Sequence, residues 1–163
     1  MADSDTEEPT RSKIERWGSC LAHGSTLFIG LPLTVLFQGF PLFLVLCPVA
    51  AYLIARSFRR RRLAWGAIQG MQASAVQLLI LLMATGMVST GPVPRLGLLF
   101  GTAGFLLFLY SLWGALDTLL GYDFRYAYIG KLLDRVSRAN LERPELRRRW
   151  FGGSKPDRAD RGE

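Results

Sequence analysis

From Trp17 to Ala55 the chain has no Asp, Glu, Lys or Arg, and the same is true from Leu63 to Pro94 and from Leu96 to Leu116. A helix at the surface of a water-soluble domain is amphipathic, with polar residues recurring every turn or two. Each of these runs exceeds the ~18 apolar residues that mark a membrane helix. They exclude a soluble core and predict an all-α membrane protein. Charge is plentiful elsewhere, with 20 Lys and Arg against 13 Asp and Glu in 163 residues.

The first run, Gly18 to Ala55, would be ~57 Å long as one helix, nearly twice the ~30 Å hydrocarbon core. A break is expected at Gln38-Gly39-Phe40-Pro41, which combines a polar residue, a flexible one and a proline. That divides the run into about Cys20–Phe37 and Pro41–Ala55, kinked at Pro32 and Pro48. A kinked or re-entrant hairpin is the alternative to two full crossings. A third segment is predicted at about Leu63–Val88 and a fourth at about Leu96–Leu120. The residues between them, Ser89 to Pro94, are turn formers.

Arginines set the expected orientation. Five lie between Arg56 and Arg62, including Arg59, Arg60, Arg61 and Arg62. With four crossings, this turn and both termini share one side, and of all the Lys and Arg residues only Arg95 lies opposite. The retention of flanking positive charge in the cytoplasm favours that model over three crossings. The expected location is a bacterial cytoplasmic membrane, with both termini cytoplasmic. The basic flanks are expected to meet anionic lipid headgroups rather than nucleic acid.

Outside the 11–133 membrane domain, residues 1–10 are acidic and disorder-prone and resemble no basic signal-peptide start. Residues 128–143 read as an amphipathic interfacial helix. Ile129, Leu132, Leu133 and Val136 fall on one face, with Lys131, Arg135 and Arg138 on the other. Residues 144–163 read as a basic flexible tail.

Few residues carry recognisable chemistry. Gly66 and Gly70, continued by Ala73, and Gly97, Gly101 and Gly104 form small-residue faces that let helices approach closely. They are expected to pack the third segment on the fourth, with homodimer contact as the alternative. Gln69, Gln72 and Gln77 are the most polar side chains of the third segment and should face protein or a water-filled pocket. For Gln69, headgroup depth is a further possibility. His23, the one histidine, has no carboxylate in any hydrophobic segment to complete an acid–base pair. It is expected to bond an amide, one of the glutamines being a candidate. Asp117 and Asp123 lie near Arg125, which suggests an interfacial ion pair. Cys20 and Cys47 give no disulfide framework or metal spacing. No catalytic set, cofactor motif or metal site is found, so a non-enzymatic role is expected.

Three stretches carry a family resemblance. Leu21-Ala22-His23 looks like an opening Ala-His signature. Gln72-Ala73-Ser74-Ala75-Val76-Gln77 matches a Gln-Ala-x-x-x-Gln pattern. Gly121-Tyr122-Asp123-Phe124-Arg125-Tyr126 matches a closing Gly-x-x-aromatic-Arg-Tyr motif, continued by Ile129-Gly130. Together they resemble the small bacterial membrane proteins of domain of unknown function family 4870, which are distantly similar to the Tic twenty-kilodalton component of the chloroplast import translocon. Gln69 stands where members often have a histidine, and Ala127 where a proline usually follows the Arg-Tyr pair. The resemblance implies the four-helix fold and a lean toward translocation, assembly or channel-like roles. The leading expectation is a helix-packing subunit that meets lipids or partner proteins, as a homo-oligomer or in a larger membrane complex. The alternative is a transport, translocation or channel component in which His23 and Gln69, Gln72 and Gln77 line a polar path.

Overall fold

The computed structural model describes residues 11–38, 42–90, 93–127 and 130–131. All regular structure among them is helical. The expected interfacial helix at 128–143, apart from Gly130 and Lys131, lies outside the described residues, as do the 1–10 and 144–163 segments. The chain divides into Met1–Tyr126 and Ala127–Glu163, and the fold described below is that of the first unit.

Its elements are α1 (Lys13–His23), a π-helical turn (Thr26–Gly30), α2 (Leu31–Phe37), a 3-10 turn (Leu42–Val45), α3 (Leu46–Arg60), α4 (Ala64–Ser89) and α5 (Pro94–Leu120). Three stretches are long and apolar enough to cross a membrane: Leu42–Arg60, Ala64–Ser89 and Pro94–Leu120. A fourth exists if α1 and Thr26–Phe37, which meet at 62°, count as one broken span. Helix α4 is the centre of the fold. It packs against α3 on one side and α5 on the other, while α1 lies against all three.

The kink in the first segment differs from the expectation. The bend falls at Gly24–Ser25, not at Pro32. An α-helical Pro32 would press its ring on the carbonyl four residues back. The chain avoids this by widening the turn just before it, where the Leu31 amide reaches Thr26 O in a five-residue bond. Pro32 then opens α2 at its first turn, where a missing N–H costs nothing. The expected hairpin turn begins where anticipated, with Gln38 left-handed (φ 50°) at the end of α2. Phe37 packs on Phe43 across it, ring centroids 5.3 Å apart.

The arginine stretch is mostly helix. Arg56, Arg59 and Arg60 belong to α3, and the turn is only Arg61–Leu63. Cations suit the last turn of a helix, whose carbonyl end is partially negative. The turn closes with Leu63 N–H on Phe58 O (3.0 Å) and Arg62 N–H on Arg59 O (3.1 Å). That is a Schellman arrangement, here with Arg62 at the left-handed position (φ 60°). The same pair of bonds ends α5. Tyr122 N–H meets Asp117 O, Gly121 N–H meets Thr118 O, and Gly121 supplies the left-handed residue (φ 95°).

The glycine faces sort differently from the expectation. A Cβ on Gly66 would lie 2.7 Å from the Phe58 ring, and one on Gly70 would lie 2.8 Å from Cβ of Ala55 and 2.9 Å from its Cα. Both glycines therefore seat α4 against α3, not α5, because the three-residue arginine turn forces those helices together. Gly101 and Gly104 do face α4, through Met87 and Met83. Gly97 has ordinary clearance, 3.5 Å from Thr90 Oγ1. Buried Ala22, Ala51 and Ala73 form the apolar centre where α1, α3 and α4 meet.

Gly70→Ala is expected to lower stability in detergent by about 1–3 kcal/mol, since backbone atoms cannot give way. Gly97→Ala is expected to be neutral or stabilising, because helix propensity favours Ala by about 1 kcal/mol where space permits. Thermal unfolding of the two purified variants checks both.

Candidate functional site

The bend after α1 leaves a backbone carbonyl without a helical partner. The amides of Leu27 and Phe28 both bond Gly24 O, at 2.9 and 3.0 Å. The carbonyl of His23 is taken by side chains instead. Gln77 Nε2 donates to it at 2.6 Å and Ser111 Oγ at 2.7 Å. Gln77 Nε2 also reaches Ser111 Oγ at 3.2 Å, while Thr26 Oγ1 donates to Gln77 Oε1. One glutamine of α4 thus joins α1, the π-helical turn and α5. All four side chains are buried.

The His23 ring extends the network toward the other end of α4. Its Nδ1 lies 2.8 Å from Tyr126 Oη and its Nε2 lies 3.3 Å from Gln69 Oε1. Gln69 Nε2 donates to Asp123 Oδ1 at 3.0 Å, and Trp65 Nε1 donates to the same oxygen at 3.2 Å. Asp123 Oδ2 pairs with Arg125 Nε at 3.0 Å. A carboxylate only accepts, so the Gln69 amide turns its NH2 to Asp123 and its oxygen to His23. His23 then carries its hydrogen on Nε2 and accepts the Tyr126 hydroxyl proton at Nδ1. The whole series, Tyr126 to His23 to Gln69 to Asp123, runs in one direction.

Residues 122–126 fold back from the end of α5 to make these contacts. Gln72 Oε1 accepts the Tyr126 backbone N–H at 3.3 Å. Phe124 and Tyr126 pack edge to face at 4.8 Å, and Tyr110 meets Tyr126 at 5.0 Å and Phe124 at 5.4 Å. Gly114 makes room, since a Cβ there would stand 2.7 Å from the Phe124 ring. Burial pushes the Tyr126 phenol above its ordinary range.

The structure brings His23, Gln69, Gln72, Gln77, Phe124 and Tyr126 into this one cluster. Gln69 is fully buried there. Asp123 and Arg125 form its half-exposed rim, whereas Asp117 is not paired with Arg125. Both cysteines are buried thiols. Arg59 and Arg60 lie in the last turn of α3, and Arg61 and Arg62 in the turn after it.

Sequence reasoning missed Glu15, Arg11, Arg16 and Ser111. Ser12 caps α1, its Oγ accepting the Glu15 N–H at 3.3 Å and donating to Glu15 Oε2 at 3.1 Å. The Glu15 carboxylate also accepts the Gly66 N–H at 3.3 Å, capping α4, whose own N-cap is Leu63 and offers no side-chain acceptor. Ser-x-x-Glu ahead of an apolar run, with a later helix start that lacks a capping residue, was the available signal. Arg16 Nε donates to Leu119 O at 2.8 Å and Arg11 to Gly121 O, covering carbonyls at the end of α5. Arg11 also stacks over Trp65, 4.6 Å from the ring centroid. Ser111 is one small hydroxyl in a long apolar helix, with nothing in its spacing to mark it.

No family model matches this chain, and no curated protein or solved structure does either.

Tyr126→Phe removes the donor to a buried ring nitrogen, and a loss of about 1–3 kcal/mol is expected. Because the folded-state phenol titrates above its unfolded value, its stabilisation is whole at neutral pH. It is lost as pH rises past the ordinary value of about 10. Thermal midpoints in detergent across that range should fall more steeply for the wild type than for Tyr126→Phe.

Proposed function

We propose that this chain is a non-enzymatic, four-crossing protein of a bacterial cytoplasmic membrane. Both termini are cytoplasmic, and its polar cluster is a lock between helices, not a reaction centre. Its work is contact with lipids or partner proteins through the outer faces of the bundle. The observation that carries this reading is saturation. His23, Gln69, Gln77, Thr26 and Ser111 spend their hydrogen bonds on one another, on Tyr126 and Asp123, or on backbone, and Gln72 Oε1 accepts the Tyr126 N–H. Among the described residues, only Ser19 Oγ and Thr34 Oγ1 are buried without a partner, and neither belongs to the cluster. That leaves a substrate little in the cluster to engage. An isolated catalytic residue would also lack the base or acid that general catalysis requires.

Support for the family resemblance comes from convergence. The Ala-His stretch, the Gln-x-x-x-x-Gln stretch and the aromatic-Arg-Tyr stretch lie far apart in sequence. Yet His23, Gln72, Gln77, Phe124 and Tyr126 are all members of this cluster. A motif that holds a fold together is retained for packing whatever the protein's partner.

Orientation follows from charge as argued above. Reporter fusions at Arg61 and after Arg149 are expected to read cytoplasm, and one near Thr90 the outside. An outside signal at the N-terminus would overturn four crossings.

Gln77→Leu and His23→Ala separate the lock from a transport path. Gln77→Leu leaves Thr26 without its acceptor and His23 O with one donor, so a loss of about 1–3 kcal/mol is expected. In proteoliposomes neither change is expected to alter ion or solute flux. A flux present in the wild type and abolished in well-folded variants would instead establish the transport reading.

A further inference from the structure

At the arginine end of the bundle, α1 and α3 run antiparallel and leave a groove of about 410 Å³ between them. Its rim is cationic, with Lys13 on one helix and Arg61 just past the end of the other, and Ser57 between them. Its walls below the rim are apolar. Trp17 and Ile14, each 60 % exposed, stand on the α1 side, and the buried Phe58 ring forms the floor. Gly18 permits this, since a Cβ there would come within 2.3 Å of the Phe58 ring. On the far side of Ser57 a smaller hollow of about 220 Å³ is edged by Arg56 and Arg60.

We propose that this groove binds one anionic glycerophospholipid, its phosphate between Lys13 and Arg61 and an acyl chain along Trp17, Ile14 and Phe58. The inference deepens the lipid-interacting reading above and rests on it. The order of chemistries down the groove is that of the lipid: positive rim, hydroxyl, indole at interfacial depth, then apolar floor. Its volume lies within the usual range for small-molecule sites, about 300–1,000 Å³. Among the described residues no carboxylate lines the groove, so they offer the ammonium of a zwitterionic headgroup no counter-charge. The nearest acid in sequence, Glu15, is buried and committed to Ser12 and Gly66 N–H. Lys13 and Arg61 form no ion pair among the described residues, so both are available to a phosphate. A free phosphate ion would leave the apolar walls without an occupant.

The test uses the full chain purified in neutral detergent, stripped of lipid and titrated with phosphatidylglycerol or phosphatidylcholine. Binding is read by native mass spectrometry. Wild type is expected to hold phosphatidylglycerol in preference to phosphatidylcholine. The double variant Lys13→Gln/Arg61→Gln should bind it about twenty-five-fold more weakly, about fivefold per cation near an anionic headgroup. A charge-matched control, Arg62→Gln/Arg95→Gln, removes two cations outside the groove and should bind as wild type does. Trp17→Ala should weaken binding without changing headgroup preference. Equal loss in both double variants would show diffuse electrostatic attraction and overturn the site. So would equal binding of phosphatidylcholine, or displacement of the lipid by inorganic phosphate. Lys13 and Arg61 are exposed, and unchanged thermal midpoints in lipid-free detergent will show that their variants fold. Failure here would leave the lock intact, because that reading stands on flux and stability of the His23 and Gln77 variants.

Discussion

The fold turns on one unsatisfied carbonyl. Where the first apolar run bends after His23, the helical ladder stops serving His23 O. In a medium without water, such a group must be met by protein or cost several kcal/mol. Gln77 and Ser111 meet it from two different helices, and in doing so fix the depth and rotation of α4 and α5 relative to α1. Apolar surfaces alone give little register in lipid, where one leucine face resembles another. Directional bonds supply it, each worth about 0.6–2 kcal/mol between membrane helices.

The His23 ring and its carbonyl sit at one residue but serve opposite directions. The carbonyl ties the middle of the bundle, while the imidazole ties the returning segment after α5. Orientation within that second series is dictated from the rim, because the Asp123 carboxylate sets the Gln69 amide and the amide sets the histidine hydrogen. A half-exposed carboxylate and a fully buried phenol are therefore linked through two intermediates that can each adopt only one arrangement.

Much of the helical plan was legible in the sequence, because long charge-free runs have few alternatives. The end of α4 and the extent of α5 follow from apolar length and the turn residues around Pro94. The bend at Gly24 was not legible. Proline at position 32 was the visible breaker, but the strain it causes is relieved upstream by a wider turn. For the site, the three glutamines and His23 stood out by polarity in an apolar background. Of their partners, Tyr126 was marked only by the family resemblance and not by polarity, and Ser111 is an ordinary residue until tertiary structure brings it near. The error over Gly66 and Gly70 has a similar cause. A small-residue stripe says that something approaches closely, and only the three-residue turn after Arg60 decides that the neighbour is α3.

Tyr126 has a consequence for the order in which this protein is made. Helix α1, which carries His23, is synthesised before α4 and α5, yet the hydroxyl that meets its ring and the carboxylate at the end of that series belong to residues about a hundred positions later. Helix α4 can meet the His23 carbonyl through Gln77 and the ring Nε2 through Gln69, but Nδ1 has its partner only once α5 is made and the chain has turned back at Gly121. The polar seam of the bundle is thus completed by the segment that follows α5, and a chain ending before Tyr126 would leave it open.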